Sequence, residues 1–176
     1  QENCPILVRP STSASNAKEL IFDKLDAGYK LGTAGNKGAG RSQTVQYFHG
    51  SEVAFWPHAE EHAAGVMQAI PDAPETEVIL ESTANGIGNY YHKMWQLAEA
   101  GQGEYQAIFI PWFWQEEYIK PAPAGFSLSM DEVEYQEIYG LTLEQMAWRR
   151  IKIVELKGDE NLFNQEYPAT AAIAFQ

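Results

Sequence analysis

The residues best suited to chemistry follow a short apolar segment that begins at Thr44. Val45 and Tyr47 favour a β-strand, and Ser51 and Glu52 come directly after it. In open α/β sheets ligands bind beyond the carboxyl ends of the strands, where a carboxylate can orient an attacking water and help to place Mg²⁺. The same pattern is also typical of a buried strand that runs into a turn with a solvated glutamate. Both interpretations remain open at this point.

A second group of titratable residues follows within ten positions. His58, Glu61 and His62 have the spacing H-x-x-E-H, which places both imidazoles on one helical face and occurs in one class of zinc hydrolase. The adjacent acids Glu60 and Glu61 also suit an ordinary helix start, where negative charge is favourable. No third ligand stands out, so the solvated helix is the favoured interpretation.

A glycine-rich loop, residues 35–42, is similar to a phosphate-binding loop. Its glycines are followed by Arg41 and Ser42, whereas such a loop normally has lysine after the last glycine and a helix after that. Here a strand is predicted next. The pattern therefore favours a glycine-rich surface loop.

Two further clusters have a functional and a structural interpretation. The aromatic run Trp112, Phe113 and Trp114 could stack on sugars or bases, but it follows an apolar strand, which favours core packing. The adjacent carboxylates Glu116 and Glu117 are a weak match to a glycosidase pair, because neighbours on one chain rarely face each other across a bond.

The elements that must position these residues alternate between strand and helix. Strands are predicted at 6–8, 29–33, 44–48, 76–82 and 105–110, and helices at 16–25, 58–70 and 89–100, with capping boxes opening two more at Ser129 and Thr142. A short amphipathic segment follows at 162–167. This order predicts an α/β fold with a parallel sheet covered on both faces. A change of character near Pro111 predicts two parts, 1–110 and 111–176.

Composition limits the class of protein. The 176 residues have a net charge of −12, which argues against a chain that wraps nucleic acid with its whole surface. The single Cys4 cannot form an internal disulfide, and no apolar run is long enough for a membrane helix. We expect a soluble intracellular protein. Because the chain starts at Gln1 and opens into an interior-like segment, we also expect it to be a piece of a longer polypeptide.

Three segments, taken in order, resemble the large terminase subunit of tailed bacteriophages, the ATP-driven motor that packages DNA into the capsid. They are HGSEVAFW at 49–56, ESTANG at 81–86 and NQEYPAT at 164–170, and the resemblance extends over nearly the whole chain. It implies the second half of a P-loop ATPase core, without its Walker A half, followed by a small helical lid subdomain from Pro111.

The resemblance also implies roles for individual residues. Glu52 matches the catalytic glutamate of the Walker B segment, and Arg41 matches an arginine that reaches a neighbouring subunit's ATP. Ser82, Thr83 and Asn85 match the motif that couples nucleotide state to movement. Ser51 stands where many members have aspartate, so its contact to Mg²⁺ would pass through a bound water.

As partners and cofactors the resemblance implies ATP, Mg²⁺, double-stranded viral DNA, a portal protein, a small terminase subunit and further copies of the chain. It implies the host cytoplasm as location and no membrane partner. The 176 residues alone are expected to be inactive, since the phosphate cradle would lie elsewhere. Two alternatives remain: a zinc metallohydrolase using His58 and His62, and a non-catalytic phage assembly protein on the same fold.

Overall fold

The structure, a computed structural model, describes residues 4–34 and 44–176 and is a mixed α/β fold. The strands are β1 (Ala14–Ser15), β2 (Glu19–Phe22), β3 (Ala27–Lys30), β4 (Tyr47–Gly50) and β5 (Glu77–Leu80). The α-helices are α1 (Ala59–Met67), α2 (Tyr90–Glu99), α3 (Met130–Tyr139), α4 (Leu143–Glu155), α5 (Glu160–Glu166) and α6 (Ala171–Ala174). In this part of the chain, no helix is both long and apolar enough to span a bilayer.

The described residues form two compact units. The first comprises those within Gln1–Phe48 and Trp56–Val78, and the second comprises His49–Phe55 and Ile79–Gln176. Each is described by itself below.

In the first unit, β1, β2 and β3 form an antiparallel sheet in that order. Ala14 lies opposite Ile21, and Leu20 lies opposite Tyr29. The helix predicted over 16–25 is therefore wrong. The side chain of Asn16 accepts hydrogen bonds from the backbone N–H groups of Lys18 and Glu19, as a helix cap would, but here these bonds close the turn into β2.

Two other predictions for the first unit have different outcomes. The strand predicted at 6–8 is wrong, because Pro5 to Val8 is a turn in which the Val8 N–H donates to the Pro5 carbonyl at 3.0 Å. The helix predicted over 58–70 is confirmed as α1, whose Ala63 and Val66 are buried.

The strands predicted near 44–48 and 76–82 are confirmed as β4 and β5, which pair in a small parallel sheet. The backbone N–H of Glu77 donates to the Gln46 carbonyl at 2.8 Å. Residues 105–110 are not part of a strand in the described chain, although their exposure alternates as in extended backbone. The strand predicted at 105–110 is thus not formed, and the sheet is smaller than expected.

The second unit is mostly helical, and its helix starts follow the sequence signals closely. Ser129 and Glu132 form a capping box at α3, and Thr142 and Gln145 form one at α4, both as predicted. The predicted helix at 89–100 is confirmed as α2, and Gly101 after α2 has a φ of 66°. The amphipathic segment at 162–167 lies largely in α5.

The core of this unit is aromatic. Trp112 stacks on Trp148 with 5.2 Å between ring centroids, and Tyr118 stacks on the same indole at 4.3 Å. Phe163 and Met146 are fully buried beside them. Core packing, the interpretation favoured by the sequence for the aromatic run, is thus confirmed for Trp112 but wrong for Trp114, which is exposed.

Candidate functional site

The candidate site lies in the second unit, where the chain leaves β4. The backbone N–H of Glu81 donates to the Gly50 carbonyl at 2.9 Å, and the N–H of Val53 donates to the Glu81 carbonyl at 3.2 Å. Ser51 and Glu52 lie between these two anchors, and both are exposed. The backbone on either side of them is therefore fixed to the end of β5 while they face solvent.

Glu52 has an unusual backbone conformation. Its φ is 55°, in the left-handed region that residues other than glycine rarely adopt. Such a conformation costs about 1–2 kcal/mol and persists only where the surrounding structure imposes it. Buried Val53 and Ala54 follow directly and start a 3₁₀ turn, so Glu52 is placed by a packed backbone.

Two of the predicted site residues meet the chain at Ala54. The Ala54 N–H donates to Ser82 Oγ at 3.2 Å, and Asn85 Nδ2 donates to the Ala54 carbonyl at 3.2 Å. The loop after β5 therefore holds both backbone groups of a residue only two positions after Glu52. The structure thus brings the Ser51–Glu52 segment and the Ser82–Asn85 loop together, as the parallel order of β4 and β5 predicts.

The same loop is tied to the start of α2. Asn89 Nδ2 donates to the Asn85 carbonyl at 2.9 Å and to the Gly86 carbonyl at 3.2 Å, while Asn89 Oδ1 accepts from the His92 N–H. Asn89 is the N-cap of α2. A continuous set of hydrogen bonds therefore runs from Ala54 through Asn85 and Asn89 to this helix.

Tyr91 is a residue of the site that the sequence analysis missed. Burial raises the pKa of its phenol; a hydrogen bond with the Ser82 backbone acts in the opposite direction, and the charge of Glu81 raises the pKa further. The phenol thus remains neutral at physiological pH and contacts the loop. Its position in the first turn of the helix that follows the loop is the signal that could have indicated it.

One ion pair lies at the same strand ends. The imidazole Nε2 of His49 lies 3.5 Å from Oε1 of Glu81, and both side chains are about half exposed. The pair is charged only when His49 is protonated. It adds a second carboxylate to the exposed surface beside Ser51 and Glu52.

The remaining predicted residues are placed as follows. Thr83 is half-buried in the loop after β5, whereas Arg41 lies outside the described residues. His58 precedes α1 with a φ of 52°, and His62 packs edge-on against Trp56 at 5.0 Å. Within residues 4–34 and 44–176, no group of three or more His, Cys, Asp or Glu side chains is arranged to hold a metal ion.

The fold and site define a mixed α/β protein with an exposed, backbone-anchored glutamate at the end of a parallel strand. No protein-family model matches the chain, and no curated protein matches it.

Proposed function

We propose that this chain belongs to an ATP-driven motor for viral DNA packaging of the terminase large-subunit type, and forms part of its ATPase domain. The observation that carries the proposal is the junction at Ala54. There the segment after Glu52 is hydrogen-bonded to Ser82 and Asn85 on the neighbouring parallel strand end. In such a motor, hydrolysis at one strand end must be transmitted to moving parts, and this junction is a short physical route for it.

The chemistry assigned to Glu52 follows from its placement. Hydrolysis of ATP needs an oriented water and compensation for charge on the γ-phosphate oxygens. Glu52 is exposed, anionic and fixed by a strained backbone, which suits a group that accepts a proton from a positioned water. On this proposal Arg41 supplies positive charge to the γ-phosphate.

The oxygen atoms available at the strand end suit Mg²⁺. The Ser51 hydroxyl and the Glu52 carboxylate are hard donors on an exposed segment, as this ion prefers. When bound, Mg²⁺ neutralises developing phosphate charge. Ser51 contributes no negative charge, and on this proposal its hydroxyl would hold a metal-bound water.

The proposal extends to domain organisation and partners through the sequence resemblance. The core would be P-loop NTPase-like, with the phosphate-binding loop supplied outside these 176 residues and residues 111–176 forming a lid subdomain. Double-stranded viral DNA, a portal protein, a small terminase subunit and further copies of the chain would be the partners, in the cytoplasm of the host.

The test is made in a protein that contains this chain together with its phosphate-binding loop. Glu52→Gln keeps the size of the side chain but removes the carboxylate, so ATP hydrolysis should fall by about hundredfold or more while ATP binding is retained. Glu61→Gln is the matched control, since Glu61 is an exposed acid on α1. Near-normal turnover by Glu52→Gln would exclude Glu52 from the mechanism.

A second measurement uses the 176-residue chain alone. It should show no Mg²⁺-dependent ATP hydrolysis, because binding of the phosphates requires a backbone cradle and a lysine. Turnover by this chain, sensitive to Glu52→Gln, would contradict the placement of the phosphate loop elsewhere. A zinc-dependent hydrolase activity lost in His62→Ala would instead favour the metallohydrolase.

A further inference from the structure

A cleft of about 480 Å³ lies in the second unit, and its lining includes none of the residues at the strand ends described above. Four aromatic residues and one carboxylate line it, namely Trp112, Trp114, Tyr118, Tyr167 and Glu166. We call it the Trp114 cleft. Its volume is within the range of ligand sites in proteins, which combine apolar walls with a few polar groups.

The aromatic walls have fixed orientations. Tyr118 is held by its stacking on Trp148, with 9° between the ring planes, and it meets Tyr167 edge-on at 5.7 Å. Trp114 is 66% exposed and lies in a 3₁₀ turn whose backbone is anchored at Pro111. A large indole is thus presented to solvent beside two rings that the core holds in place.

Three glutamates line or flank the cleft. Glu166 is half-buried, and its Oε1 accepts a hydrogen bond from Gln165 at 3.0 Å. Glu116 and Glu117 are exposed in the segment between Trp114 and Tyr118. A nearby cation, Lys152, lies 5.8 Å from the Trp148 ring but is hydrogen-bonded to Glu155 and does not line the cleft.

We propose that the Trp114 cleft binds an arginine side chain of a partner polypeptide. A planar guanidinium stacks on aromatic faces and pairs with a carboxylate through two N–H groups, which matches the aromatic lining and Glu166. The free energy of binding comes from the cation–π contact and from charge pairing in a partly desolvated site.

A polypeptide is favoured as the source of the guanidinium because of the surface that leads into the cleft. Ile108 and Ile110 are 70% and 69% exposed, whereas Phe109 between them is half-buried. Alternating residues of an extended segment share one face, so these isoleucines offer apolar contacts to residues that flank the arginine.

The test is a titration of the ¹⁵N-labelled chain with the peptide acetyl-Leu-Arg-Leu-amide. Citrulline replaces arginine in a control peptide of nearly the same shape without the charge. The arginine peptide should shift the indole N–H signal of Trp114, assigned with Trp114→Phe, and the citrulline peptide should bind at least threefold more weakly. Equal shifts from both peptides, or none from either, would overturn the proposal.

Matched variants separate the cleft from general charge attraction. Glu166→Gln should lower the affinity for the arginine peptide by about threefold to fivefold. Glu117→Gln makes the same change outside the lining and should alter the affinity less than twofold. Equal weakening by the two variants would contradict the proposal, and an unchanged Trp148 indole signal shows that each variant is folded. No nucleotide is used, so the result is independent of the proposed ATPase function.

Discussion

Asn85 donates a hydrogen bond from its side-chain amide to the carbonyl of Ala54, across two strand ends that are 31 residues apart in sequence. Ser82 accepts from the N–H of the same alanine, so both backbone groups of Ala54 are satisfied by one loop. Ala54 is buried, so water does not supply partners for its backbone groups, and the two bonds to the loop satisfy them instead. The loop thereby fixes the 3₁₀ turn that follows Glu52.

The first prediction concerns this bond. Asn85→Ala should lower the free energy of unfolding by about 0.5–1.5 kcal/mol, since it leaves the Ala54 carbonyl without its partner. Asn85→Asp should cost at least as much, because a carboxylate would face that carbonyl. Chemical denaturation measures both. Asn161→Ala, at an exposed position of α5, is the control and should change stability by less than about 0.5 kcal/mol.

The second prediction concerns the backbone of Glu52. Because the φ of Glu52 is positive, the Glu52→Gly variant should be more stable than Glu52→Ala by about 0.5–1 kcal/mol. This figure is the strain that glycine relieves in the left-handed region, minus the extra conformational entropy that glycine loses on folding. The same pair of substitutions at Glu61, inside α1, should differ by about 1 kcal/mol with the opposite sign. Thermal or urea denaturation of the four variants tests this. The same sign at both positions would show that Glu52 does not hold the left-handed conformation in solution.

The third prediction is a pH dependence at the start of α3. Arg150 Nε donates to Glu132 Oε1 at 2.9 Å and Nη2 binds the other oxygen, while the Ser129 N–H donates to Oε2. The bond with Arg150 is the main cause that lowers the pKa of Glu132, against the opposing effect of burial. A carboxyl whose pKa is lower in the folded state stabilises above its unfolded pKa, and this contribution is lost as the pH falls.

Glu132→Gln should therefore lower the free energy of unfolding by about 1–2 kcal/mol near neutral pH. The difference from the wild type should shrink as the pH falls below the ordinary glutamate value of 4.5. Urea denaturation over a range of pH measures it. Glu134→Gln, exposed on the same helix, should show no such trend. A constant cost across the range would mean that the ion pair contributes little.

The fourth prediction concerns Arg41, whose role rests on the sequence resemblance. If its guanidinium acts on a neighbouring subunit's ATP, Arg41→Ala should reduce hydrolysis by about a thousandfold in the assembled motor. Mixing Arg41→Ala with Glu52→Gln should restore part of the activity, because a subunit that keeps Glu52 borrows the arginine of its neighbour. Lys37→Ala, in the same glycine-rich stretch of sequence, should remain active alone. No recovery in mixtures, under conditions where the wild type is active, would exclude action between subunits.

The helices could be predicted from the sequence where the signal was local. Ser129 with Glu132 and Thr142 with Gln145 satisfy each other's backbone groups within one turn, so no distant contact is needed to start these helices. The helix predicted to begin at Asn16 was wrong because it also rested on a local signal. The hydrogen bonds of Asn16 to Lys18 and Glu19 are common to a helix cap and a tight turn, and only pairing of β2 with two neighbours decides between them.

The candidate site was predictable in outline and not in detail. Two parallel strands end at one edge, so residues after β4 and β5 could be expected to approach each other. That they meet at the backbone of Ala54, and that Tyr91 contacts Ser82, depends on loop conformations that side-chain types do not specify. The strand predicted at 105–110 was not formed for a related reason, since an extended segment becomes a strand only with a neighbour to pair with.

The stacked rings of Trp112 and Trp148 have an optical consequence. Their planes are 16° apart at a centroid distance of 5.2 Å, close enough for the electronic transitions of the two indoles to couple. Such coupling produces a paired positive and negative circular-dichroism band that vanishes when the rings separate. Both rings belong to the second unit, whereas Trp56 belongs to the first and contacts His62. Loss of this band during unfolding therefore reports on the second unit, to which both rings belong.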